Sequence, residues 1–107
     1  MILEVVILDI SPGKEQEFET DFREASGIIA SMAGYFSHQL QHCLEKQNRY
    51  LLFVQWETLE AHTIGFRGSS EYQEWKKRLH HFYDPFPTVE HYELIQDYPQ
   101  NAITSLP

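Results

Sequence analysis

The spacing of apolar and polar residues along the chain predicts strands and amphipathic helices in alternation. Residues 2–10 form a short apolar run rich in β-branched side chains, which predicts a first strand because the run is too short for a typical helix. Ser11-Pro12-Gly13 ends this strand. Between residues 14 and 32 apolar side chains recur at spacings of three and four, which predicts an amphipathic helix; they are Phe18, Phe22, Ala25, Ile29 and Met32.

The remainder of the chain shows a hairpin, two short helical segments and a final strand. The predicted segments are strands at 35–44 and 49–57 around a loop at 45–48, helices at 58–66 and 69–81, and a strand at 89–95. Thr58 and either Ser69 or Ser70 are suitable N-caps for the two helices. The order β-α-β-β-α-β predicts an α+β fold of the ferredoxin-like type.

The first and third strands carry apolar residues on both faces, whereas the second and fourth alternate with polar ones. Strands that are apolar on both faces belong in the centre of a sheet, so we expect a four-stranded antiparallel sheet of order 4-1-3-2. Two helical segments cover only one face of such a sheet. The other face would leave a large apolar surface in water, and we therefore expect a second copy of the chain to cover it, giving a homodimer.

Composition and charge narrow the classes of partner. The chain has 107 residues, with 8 Lys and Arg against 16 Asp and Glu, and a net charge of −8. This balance disfavours nucleic acid and anionic membranes as partners, because both bind clustered basic residues. The single Cys43 excludes an internal disulfide, and residues 1–10 contain no basic leader, so we expect a cytoplasmic protein. We expect one domain over residues 1–95 and a polar tail over 96–107.

The stretch Trp56-Glu57-Thr58-Leu59-Glu60-Ala61-His62, with Gly65-Phe66-Arg67 and Ser69-Ser70-Glu71-Tyr72 after it, resembles the antibiotic biosynthesis monooxygenase family. The resemblance extends over residues 1–95. It implies a ferredoxin-like domain that dimerises into an α/β barrel, and an oxidoreductase that oxidises a small phenolic or quinol-type aromatic with O2. It also implies that no metal or organic cofactor takes part.

This resemblance suggests a site in which a flat aromatic substrate loses a proton and the resulting anion is stabilised. His62 is the candidate proton acceptor and Arg67 the candidate anion stabiliser. The candidate walls of the pocket are Trp56, Phe66, Tyr72 and Trp75. Each has a structural alternative: His62 as a hydrogen-bonded core histidine, Arg67 as a surface partner of Glu71, and the aromatic residues as core packing.

Two other functions are compatible with the same residues. A dimeric binding or stress-response module could use the pocket without catalysis, because a fold does not determine a function. A metal site could form from His38 and His42 if His91 or Glu93 supplied a further ligand, although the His-x-x-x-His spacing alone is weak support.

Overall fold

The strands and helices follow the predicted order. A computed structural model describes residues 1–98, so residues 99–107 of the predicted tail lie outside the described residues. The elements are β1 Ile2–Asp9, α1 Glu15–Ala30, β2 Tyr35–His42, β3 Arg49–Trp56, a π-helix Ala61–Phe66, α2 Ser70–Leu79, a 3₁₀ turn His80–Phe82 and β4 Val89–Glu93.

The four strands form one antiparallel sheet. β1 pairs with both β3 and β4, and β3 pairs with β2, so the order across the sheet is β2-β3-β1-β4. This is the predicted order 4-1-3-2, and the ferredoxin-like α+β fold is confirmed. The register places Glu4 of β1 directly opposite His91 of β4, and Ile2 opposite Trp56 of β3.

The hydrophobic core lies between one face of the sheet and the helices. Because side chains alternate along a strand, the even-numbered residues of β1 and β3 point towards the helices, and all of them except Ile2 are buried. From α1, the residues Phe18, Phe22, Ala25 and Ile29 meet them, as the spacing of three and four predicts. Phe18 is fully buried and lies among Phe22, Tyr50 and Phe82.

Several element boundaries differ from the predictions, and β2 ends at His42 rather than at residue 44. The predicted helix over 58–66 is helical from Leu59, and its part from Ala61 to Phe66 is a π-helix; the Thr58 hydroxyl accepts a hydrogen bond from the Ala61 amide, as expected of the predicted cap. The predicted helix over 69–81 ends at Leu79 and continues as a 3₁₀ turn; its cap is Ser69, whose side chain accepts from the Tyr72 amide. β4 ends at Glu93 rather than at residue 95, because Glu93 pairs with Ile2, the first residue of β1, and no strand continues beyond that point.

None of the helices in the described part of the chain covers the second face of the sheet. Leu3, Val5, Leu51 and Phe53 point to this side and are partly exposed, and Ile7 is 50% exposed. Within residues 1–98 no helix is long and apolar enough to cross a membrane.

Candidate functional site

A cavity of about 430 Å³ opens between the covered face of the sheet and the helical segments. This volume lies in the range of about 300–1,000 Å³ that is typical of small-molecule sites. Strand residues such as Val6 and Leu52 form its floor. The polar residues in its lining are Glu4, His62, Arg67, Tyr72, His80 and Tyr83.

His62 enters the cavity wall from the π-helix. Only 3% of its surface is exposed. Its Nδ1 lies 2.8 Å from Nε2 of His91, and its Nε2 lies 3.4 Å from Oε1 of Glu4. The ring also stacks on Trp56, with 5.3 Å between ring centroids and 19° between ring planes. The imidazole is therefore held from three strands of the sheet.

Gly34 brings the π-helix close to the sheet. Its φ is +83°, a conformation that glycine adopts without strain, and a Cβ at this position would lie 2.7 Å from Cβ of Ala61. Its carbonyl also accepts a hydrogen bond from the Glu57 amide, at 2.7 Å. The turn before β2 therefore determines how closely the segment that carries His62 approaches the core.

Glu4 is a buried carboxylate in β1, among residues that are otherwise apolar from Ile2 to Leu8. Its side chain points to the covered face of the sheet, and Oε1 accepts a hydrogen bond from Nε1 of Trp56 at 2.9 Å. Glu4 is not among the candidate residues predicted from the sequence, although its position carries a signal. Glu4 is the only charged residue between Ile2 and Leu8, and it shares the inward register of Val6 and Leu8.

Burial shifts the pKa values of these groups in opposite directions, because a low-dielectric environment disfavours the charged form of each. Burial raises the pKa of Glu4 to about 6, although the hydrogen bond from Trp56 and the charge of Arg67 lower it. Burial lowers the pKa of His62 to about 3, with Arg67 and His91 adding to the effect. Burial and then Arg67 also lower the pKa of His91. At neutral pH the contact between Glu4 and His62 therefore joins a carboxylate to a neutral imidazole.

Arg67 follows the π-helix directly and lines the cavity. Its side chain is exposed at the cavity edge, and its positive charge favours the ionised form of Glu4. Among residues 1–98 it forms no ion pair with Glu71, so the alternative of a surface pair is not what the structure shows. Its charge is available to a ligand.

The predicted aromatic walls divide into two groups. Phe66, Tyr72 and Trp75 line the cavity, and Phe66 contacts both others edge to face, at centroid distances of 5.1 and 5.9 Å. Trp56 does not line it. It is fully buried behind His62, where it stacks on the imidazole and donates a hydrogen bond to Glu4. Trp56 therefore contacts both Glu4 and His62 from behind the cavity wall.

The histidines of the metal-site alternative lie apart. His38 is on the β2 edge of the sheet, where Tyr35 and Ser26 contact its two ring nitrogens, whereas His91 is on the opposite edge. His42 contacts the Gln47 carbonyl. In the part of the chain that the structure describes, no group of three His, Cys, Asp or Glu side chains is arranged to hold a metal ion.

The family model for antibiotic biosynthesis monooxygenases matches residues 1–78. The chain belongs to the antibiotic biosynthesis monooxygenase family. Among curated proteins it is similar to the uncharacterized protein YczJ of Bacillus subtilis (strain 168), with 60% identity over 93 residues that cover 87% of this chain and 98% of YczJ.

Solved structures of this family share the fold. A Bordetella bronchiseptica protein described as an antibiotic biosynthesis monooxygenase is 30% identical, with a TM-score of 0.85 and coverage of 89% of this chain and 97% of that one. SnoaB, a cofactor-independent oxygenase from Streptomyces nogalater, is 21% identical, with a TM-score of 0.76 and coverage of 92% and 96%. At that identity the likeness to SnoaB shows a shared fold.

Proposed function

We propose that this protein is a cofactor-independent monooxygenase that oxidises a small phenolic or quinol-type aromatic with O2. The observation that carries the proposal is the cavity, which combines aromatic walls with an acid–base pair and a nearby cation. Membership of the antibiotic biosynthesis monooxygenase family supports it. SnoaB, which has the same fold, is a cofactor-independent oxygenase.

The chemistry needs three things from the protein. The ring must be bound, and Phe66, Tyr72 and Trp75 offer aromatic surfaces for this. A proton must be removed so that the substrate becomes electron-rich enough to react with O2, and the pair of His62 and Glu4 is the acid–base element of the site. The anion must be stabilised, which is the role of the permanently charged Arg67.

Oxygen uptake tests the proposal. We expect purified protein, freed of metal by a chelator, to consume O2 with at least one member of a panel of quinols and polycyclic phenols. His62→Gln should lower turnover, whereas His38→Gln, which alters a half-buried histidine outside the cavity, should leave it unchanged. No uptake with any member of the panel would contradict the proposal.

The homodimer is a second part of the proposal. The open face of the central strands presents Val5, Ile7 and Phe53, and an apolar surface of this kind is covered in most soluble proteins. We expect sedimentation to show a dimer at micromolar concentration and Phe53→Glu to give a monomer. Gln16→Glu, which adds the same charge on the exposed side of α1, is the matched control. A wild-type monomer would refute this part.

A non-catalytic binding module is the alternative, and two contacts of His62 favour it. Both ring nitrogens of His62 already face protein groups, at 2.8 and 3.4 Å, as in a histidine that serves the structure. In that case an aromatic ligand would bind in the cavity and be recovered unchanged after incubation in air.

A further inference from the structure

The polar groups of the cavity converge on one carboxylate. Trp56 donates its indole N–H to Oε1 of Glu4 from β3. His62 places Nε2 at 3.4 Å from the same oxygen, and His91 contacts the opposite nitrogen of His62 at 2.8 Å. With an N–H on Nε2 of His91, that nitrogen donates to Nδ1 of His62, and Nε2 of His62 then carries its own proton 3.4 Å from Oε1 of Glu4.

The second oxygen of Glu4 is not used in this network. Within residues 1–98, no side chain or backbone amide donates a hydrogen bond to Oε2. Glu4 itself lines the cavity, whereas His91 does not. A ligand hydroxyl in the cavity therefore meets a carboxylate whose Oε1 is held by the protein and whose Oε2 is available.

We propose that Glu4 is the group that takes the substrate's proton and later returns it, with His62, His91 and Trp56 positioning its carboxylate. This inference rests on the proposed oxygenase function and assigns the proton to a different atom than the sequence analysis did. The pKa values agree with it. A general base works best with a pKa near the operating pH, which fits Glu4 at about 6 and not His62 at about 3.

One carboxylate is enough to take up and return the proton that the reaction moves. The phenol O–H proton moves to Oε2 of Glu4, and the phenolate supplies electrons to O2, which bonds to a ring carbon as a peroxide anion. Glu4 returns its proton to the outer peroxide oxygen. The O–O bond then breaks and the ring C–H proton leaves with the departing hydroxide as water, so that phenol and O2 give quinone and water.

The pH response of Glu4 depends on its neighbours from every element packed against it. Trp56 donates to it from β3, His62 faces it from the π-helix, His91 is its partner across the strand pair from β4, and Arg67 stabilises its ionised form. Tyr83, at the cavity wall, has its pKa raised by burial first, then by Tyr72 and by the negative charge of Glu4. Activity should therefore fall on the acid side as Glu4 becomes protonated.

Glu4→Gln is the direct test, because glutamine keeps an oxygen for the Trp56 N–H but cannot take the proton. We expect turnover to fall by about 10²- to 10⁴-fold, with KM changed by less than about threefold and the acid limb of the pH profile lost. Glu93→Gln, which removes a charge from an exposed side chain on the neighbouring β4, is the matched control and should behave as wild type. Turnover above half of wild type in Glu4→Gln would overturn the assignment.

A second measurement needs no turnover and separates this inference from the proposed function. 4-Nitrophenol changes its absorption when it ionises, and in the absence of O2 its binding can be followed with a pH indicator. At mildly acidic pH, wild-type protein should bind the anion without releasing a proton to the medium, because Glu4 retains it. Glu4→Gln should bind the neutral phenol. Failure of the wild type to bind the anion, or release of one proton per anion bound, would overturn the role of Glu4.

The turnover and the binding measurements together distinguish a failure of the Glu4 assignment from a failure of the oxygenase function. Bound anion without any oxygen uptake would leave Glu4 as the proton acceptor and would refute the oxygenase function alone. For the positioning role, His62→Gln should shift the acid limb of the ionisation profile of the bound phenol, whereas a purely structural role would lower the amount of folded protein and leave that profile unchanged.

Discussion

Replacing Glu4 with glutamine should make the protein more stable relative to wild type as the pH rises from acid to neutral. The carboxyl is buried, and its pKa rises from 4.5 to about 6 on folding. Each pKa unit corresponds to about 1.4 kcal/mol, so ionised Glu4 lowers the free energy of unfolding by about 2 kcal/mol once the pH is above both values.

The direction of this change in stability with pH follows from proton binding. Between pH 4.5 and 6 the folded state holds a proton on Glu4 that the unfolded state has lost, so stability falls as the pH rises through this interval. Glutamine does not titrate. The stability of Glu4→Gln minus that of wild type should therefore increase by about 2 kcal/mol from pH 4 to pH 8.

Urea unfolding at several pH values and one protein concentration measures this difference. The depressed pKa of His62 lowers the stability of both proteins as the pH falls below 6.5, so the two are compared with each other at every pH. Following how their difference changes with pH removes any constant effect of the amide on packing. A difference that does not change with pH, or that decreases towards pH 8, would refute the view that Glu4 is a strained, buried carboxylate.

Three further outcomes follow from the structure. Arg67→Gln removes the positive charge that lowers the pKa of Glu4, so the acid limb of any activity profile should move to higher pH; a shift to lower pH would contradict this electrostatic account. Gly34→Ala should destabilise the fold, because its φ is +83° and the new Cβ would lie 2.7 Å from that of Ala61; Ala61→Gly should restore part of the loss in thermal unfolding, and no restoration would show that the contact is unimportant. Phe18→Ala should cost about 3–5 kcal/mol in urea unfolding, since Phe18 is fully buried in the core; a loss below about 1 kcal/mol would refute its central place.

The proposed function and the stability prediction describe the same property of Glu4. A carboxylate that water solvates fully has too low a pKa to hold a proton near neutral pH, and burial raises that value at the expense of stability. A result of higher stability with lower activity in Glu4→Gln would therefore connect the two measurements. Lower stability together with lower activity would indicate only a damaged fold.

The apolar pattern alone determined the element order and the sheet. Two-sided apolar strands at 2–10 and 49–57 require the centre of a sheet, and the three-and-four spacing from Phe18 to Ile29 requires a helix that covers one face. These are short-range consequences of side-chain alternation and of the 3.6-residue turn, so they are visible in any linear stretch of the chain.

The candidate site was only partly accessible in this way. His62, Arg67, Phe66, Tyr72 and Trp75 could be named because the family resemblance of this part of the chain suggested a site there, and the structure places them around one cavity. The sequence did not show that the segment carrying His62 is a π-helix or how closely this segment approaches the sheet.

Only the tertiary structure decided which groups meet. Glu4 and His91 are far in the chain from each other and from Trp56 and His62, and the contacts among the four depend on strand register and on how closely the π-helix approaches the sheet. Their pKa values depend in turn on burial, which is a property of the packed molecule. The sequence therefore established the fold and part of the site, whereas only three-dimensional packing buries Glu4 among the groups that raise and tune its pKa.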